Sequence, residues 1–160
     1  MARTLGRMRS IGGTIVCDVT EPVAGRSAAE FAAALAARLD LRLVLVHVVE
    51  GMPPGADESL TARQLRRGAE HTLDEVVRDI AHDADIRLVV GEHAEAVARV
   101  AAEEGADLVV VGGRPAGLGR RNLRWTLARR LEAATPVPVL VAPPSTRRRS
   151  DRRLAVAETR

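Results

Sequence analysis

Residues 86–112 read IRLVVGEHAEAVARVAAEEGADLVVVG, and the fold follows from how this stretch divides. IRLVV at 86–90 is short, apolar and β-branched, which predicts a strand ended by Gly91. From about 93 to 104, Ala94, Val97, Val100 and Ala101 recur at helical spacing, and Gly105 suits the residue just past a helix end. DLVVV at 107–111 is again a strand. Two strands joined through a helix run parallel, because a crossover of that length returns the chain to the same end of the sheet.

The same alternation extends both ways. TIVCDV at 14–19 predicts a first strand ending near an acid, followed by a loop with Glu21, Pro22 and Gly25. Ser27 and Glu30 have capping-box spacing, so a helix is expected to start there and present Phe31, Leu35 and Leu39 as one stripe. RLVLVHVV at 42–49 is apolar almost throughout, as a strand covered on both faces would be. After the Pro/Gly loop EGMPPGADES, a helix is expected over about 58–82, with Ala69, Leu73, Val76, Val77 and Ile80 on its inner face. Beyond 112 come a Gly-rich loop, GGRPAGLGRRN, and a helix over about 122–134 aligning Leu123, Leu127 and Leu131. The last strand, PVPVLVAP, spans 136–143. The reading is one α/β domain with a parallel five-stranded sheet and helices on both faces. Ligands of such sheets sit outside the carboxyl ends of the strands.

Composition narrows the function. A chain of 160 residues favours one domain with its own core. Aromatics are 1%, Phe31 and Trp125, so the core must be aliphatic. Cys17 is the single cysteine, which precludes a disulfide within the chain and reads as a small buried side chain. The start, MARTLGRMRSIGG, is basic without an apolar core, and no apolar run is long enough to span a bilayer, so a cytoplasmic protein is expected. All 24 cations are Arg, which removes chemistry that needs a lysine amine. Three Arg in 1–13 and six Arg against two acids in 145–160 leave 15 Arg against 19 acids between them. The expected organisation is a basic arm at 1–12, a domain at 13–144 and a basic tail at 145–160. Neither end carries an aromatic to stack on a base, so solvated ends are preferred to nucleic-acid arms.

Two loops at the strand ends carry the candidate site. Gly112, Gly113, Gly117 and Gly119 would let backbone approach a phosphate closely, and Arg114, Arg120, Arg121 and Arg124 add positive charge. A solvated loop has the same composition. Asp18 can accept hydrogen bonds from an amino or hydroxyl group of a ligand, or cap the turn that follows it. The histidines are His47, His71, His82 and His93. None has metal-ligand spacing to another or to Cys17, and His47 reads as a satisfied core residue. With no nucleophile–base pair to name, catalysis is not expected.

TIVCDVTEP, LRLVLVHVVE with its VHV at 46–48, GEHAEAVARVAAEEGADLVVVGG and TPVPVLVAP together resemble the universal stress protein family over about 13–143. The resemblance implies strand order 3-2-1-4-5 and a two-fold dimer through the last strand. It also implies an adenine-nucleotide (ATP) pocket in which Asp18 and Val48 hold the adenine and ribose side. The family motif G-x2-G-x9-G-[S/T], laid from Gly112, meets Gly112, Pro115, Trp125 and Thr126, so the first glycine and the hydroxyl match and the other two glycines do not. The candidate pocket is therefore Asp18, Val48, Gly112, Gly113, Arg114, Gly117 and Thr126. Two readings stand: a dimeric stress-response module with a degraded pocket, or an ATP-binding protein in which Arg residues replace the lost glycine contacts.

Overall fold

The computed structural model describes residues 12–52, 59–113 and 122–144, with the side chains of 122–126 outside the description. The elements alternate without exception: β1 Thr14–Asp18, α1 Pro22–Leu39, β2 Arg42–Val49, α2 Leu60–Asp79, β3 Asp85–Val90, α3 His93–Glu103, β4 Leu108–Gly112, α4 Asn122–Ala134 and β5 Val139–Ala142. All neighbouring strands pair in parallel, in the order β3-β2-β1-β4-β5. The N-terminal arm, apart from Gly12, and the tail 145–160 lie outside the described residues.

Alternation along the strands sends apolar side chains to both faces, and each face is covered. Ile15, Cys17, Leu43, Leu45 and Val110 pack with Ala28, Ala29 and Ala32 of α1 and with Leu73 and Val76 of α2. Val16, Val44, Val46, Val109 and Val111 pack with Ala94, Val97, Val100 and Ala101 of α3 and with Leu131 of α4. Cys17 is fully buried, and burial pushes its thiol pKa well up. Gly105, at φ 61°, follows the end of α3 in the left-handed conformation expected of it.

The first helix departs from its expected start. It begins at Pro22, and Ser27 is inside it, donating from Oγ to Val23 O at 3.3 Å instead of capping. Pro22 is suited to a first turn because the N–H it lacks would have no intrahelical partner. Gly25, expected in the preceding loop, lies inside the helix, and a Cβ there would lie 2.6 Å from Val19 Cα, so the first turn rests directly on backbone and only glycine fits. The same closeness alters the buried face. Ala24, Ala28, Ala32 and Ala36 point inward, Phe31 and Leu35 flank them, and Leu39 is exposed. Helix α2 is shorter than expected. Ser59 caps it by accepting from Ala62 N at 3.0 Å. Strand β5 is shorter too, since Pro136 and Pro138 offer no donors, although Pro138 O accepts from Val109 N at 2.9 Å.

At the amino ends of the strands, Asp107 Oδ2 accepts from Thr14 N at 2.9 Å. Arg42 reaches Asp85 and Glu104, each at 2.8 Å, and Arg87 pairs with Glu103 and Glu104. This network ties β2 and β3 to the end of α3 and leaves the opposite, carboxyl edge for a site.

Candidate functional site

Asp18, Val49, Val90, Gly112 and Ala142 end the five strands on one edge. Asp18 projects towards the α3 face, two positions on from Val16, and is buried. Burial alone would raise its pKa. A hydrogen bond from His93, the His93 charge and two bonds from Thr20 outweigh burial and lower it. Oδ1 accepts from Thr20 N at 3.1 Å and Thr20 Oγ1 at 2.6 Å, while Oδ2 meets His93 Nε2 at 2.9 Å. Asp18 thus caps the turn after β1, and both its oxygens have partners within the chain.

Val48 is engaged in the same network. Its N–H donates to Thr20 Oγ1 at 2.9 Å, so one threonine hydroxyl links the β1 carboxylate to the β2 backbone. The start of α3 is closed as well. His93 N donates to Glu50 Oε1 at 3.0 Å, and the Glu92 carboxylate accepts from Ala94 N at 3.2 Å and Glu95 N at 3.0 Å. Backbone donation from Glu95 is the largest influence lowering the Glu92 pKa. Arg130 of α4 pairs with Glu92 at 2.6 Å. The positive end of the α3 dipole is therefore met by two carboxylates of the chain itself.

The glycines have local reasons to be glycines. A Cβ on Gly112 would fall 2.0 Å from Ala24 O, so α1 packs where any side chain would stand. A Cβ on Gly113 would fall 2.7 Å from Ala142 O, and its N–H donates to that same oxygen at 2.9 Å. Arg114, Pro115, Gly117, Gly119, Arg120 and Arg121 lie outside the described residues. Thr126 falls within α4, its side chain and those of Arg124 and Trp125 outside the description. Of the candidate residues, Asp18, Val48, Gly112 and Gly113 are brought to one edge by the ends of β1, β2 and β4.

His93, Thr20, Glu50 and Glu92 were not picked out from the sequence. Thr20 had a signal: a hydroxyl two residues after an aspartate makes an Asx-type turn. His93 had none, since its contact with Asp18 spans 75 positions. His47 corrects an expectation in part, because a backbone hydrogen bond with Val19 engages the ring while its buried Nδ1 has no hydrogen-bond partner among the described residues. Desolvation leads the causes that lower its pKa. Among the described residues no group of acids, histidines and cysteine is arranged to hold a metal.

A five-stranded parallel sheet in the order 3-2-1-4-5, with helices on both faces, defines a doubly wound α/β domain. The model of the universal stress protein family matches residues 13–143, and the chain belongs to that family. Comparison with curated proteins finds no match by sequence. Among solved structures, a universal stress protein family member from Burkholderia pseudomallei is 28% identical with a TM-score of 0.65, over 86% of this chain and 100% of that one. A universal stress protein from Archaeoglobus fulgidus, in complex with dAMP, is 16% identical with a TM-score of 0.60, over 83% and 98%. A family member from Arabidopsis thaliana with AMP bound is 17% identical with a TM-score of 0.60, over 85% and 94%.

Proposed function

We propose that this universal stress protein is a dimeric regulatory module of the stress response whose strand-end crevice is filled by its own side chains. The observation that carries the reading is the network of Asp18, Thr20, Val48 and His93, in which both Asp18 oxygens and the Val48 N–H already have partners within the chain. A buried acceptor that is already satisfied gains little from a ligand, because any new bond replaces an existing one. Gly112 and Gly113 are explained by packing against Ala24 and Ala142, so they do not argue for a phosphate. We assign dimerisation to β5, an edge strand on which Val141 is half exposed and which, among the described residues, pairs only with β4. On this reading the chain binds and regulates, and catalyses nothing.

The second reading is an adenine-nucleotide site. It draws on the relatives solved with dAMP and AMP and on the Arg residues near the Gly-rich loop. Native mass spectrometry of the protein as purified separates the two. The first reading expects a dimer without retained nucleotide; a nucleotide carried in stoichiometric amount favours the second.

A further inference from the structure

At the edge where Asp18 ends β1, a histidine ring from another element is seated on a buried carboxylate. His93 Nε2 lies 2.9 Å from Asp18 Oδ2, and the side chains are 17% and 6% exposed. His93 is also the first residue of α3, so its ring and its backbone act together. The ring meets β1, and the N–H is held by Glu50 just after β2. The charged groups around it are Asp18 on β1, Glu50 after β2, Glu92 on its own helix start and, through Glu92, Arg130 of α4. His47 of β2 also feels the charges of Asp18 and His93, although β2 alternation puts it on the face of Leu43 and Leu45.

We propose that His93 is a proton-operated latch on the carboxyl edge of the sheet: charged, it holds Asp18 and closes the crevice; neutral, it yields the carboxylate to a ligand that brings its own hydroxyl donors. This rests on the reading above, that internal groups fill the crevice. Two features beyond the contact support it. The ring contact is separable from the helix start, because Glu50 and Glu92 hold the backbone of α3 independently of the His93 ring. It also has a proton-sensitive charge. Burial would lower the His93 pKa, but the hydrogen bond to Asp18 and the charges of Asp18, Glu50 and Glu92 raise it above the ordinary value. With the folded value raised, the latch is fully closed below the ordinary histidine value of about 6.5 and loosens as pH rises through the folded one. A neutral ring can still donate to Asp18, but without the charge that makes such a bond strong.

The test uses the full chain and adenosine, which has hydroxyls for Asp18 and no phosphate to involve the Gly-rich loop. By NMR the His93 ring should titrate above the ordinary histidine value and fall back in Asp18→Asn; titration at or below that value in the wild type overturns the latch. His93→Ala should bind adenosine about tenfold more tightly than wild type at about pH 6.5, with the gap closing by about pH 8.5. His93→Gln keeps a donor but no charge, so its affinity should not vary with pH; a pH dependence equal to the wild type's overturns the proposal. If His93→Ala binds no better while wild type still binds ATP weakly, the latch alone is wrong. Tight ATP binding by wild type at about pH 6.5, with His93 still charged, overturns both the latch and the filled crevice.

Discussion

Gly112 stands where a nucleotide loop would want a glycine, yet Ala24 O would lie 2.0 Å from a Cβ at that position. Gly112→Ala separates the two explanations, because packing predicts a stability loss and phosphate binding does not. Pushing α1 off the sheet should cost about 3 kcal/mol, read from urea unfolding; an unchanged midpoint contradicts the packing account. The Asp18 region predicts a pH profile. Stability from His93 is complete below about pH 6.5 and lost as pH rises through its raised folded value. His47, held neutral by burial, works in the opposite direction: stability falls as pH drops from about 6.5 towards its lowered folded value. Asp18 contributes above its unfolded value of about 3.9, and that contribution is lost as pH falls through its lower folded value. Unfolding free energy should therefore peak near the ordinary histidine value, and His93→Ala should flatten the limb between about pH 6.5 and 8. An unaltered limb in that variant would assign the slope to other groups. Asp18 was legible locally, and Thr20, though not picked out, carried a local signal two residues on. His93 was not, because no local pattern reports a contact made only when α3 docks.

Among the elements, α1 shows what periodicity misses. Phe31, Leu35 and Leu39 form the more conspicuous stripe, but the buried face is alanine, since a helix this close to the sheet has room only for small side chains. The strands, all nine elements in order, and the inner faces of α2 and α3 were readable from apolar spacing, because there the large residues do face the core. The ion network at the amino edge belongs to this scale. Glu104, with a side chain 12% exposed, is shared by Arg42 and Arg87 and so anchors α3 to two strands. Glu104→Gln should destabilise by about 1–2 kcal/mol, and the difference from wild type should shrink in high salt, because the arginines stay partly solvated. A salt-independent difference would point to packing instead of charge.

At the scale of the whole molecule, sheet order puts β3 and β5 at the edges, and among the described residues no helix is long and apolar enough to cross a membrane. The order was legible only through the family resemblance, since alternation alone allows several. If β5 is the dimer surface, Val141→Arg should halve the mass seen by sedimentation without unfolding the chain, as a charge facing its own copy at a two-fold contact is repelled. A dimer that survives the change places the interface elsewhere. The central claim is that the crevice at the carboxyl edge is occupied from within. Its most direct test is calorimetric titration of the full chain with ATP and magnesium near neutral pH. A filled crevice predicts no saturable heat up to high micromolar nucleotide; a one-site isotherm with a low-micromolar constant would contradict it.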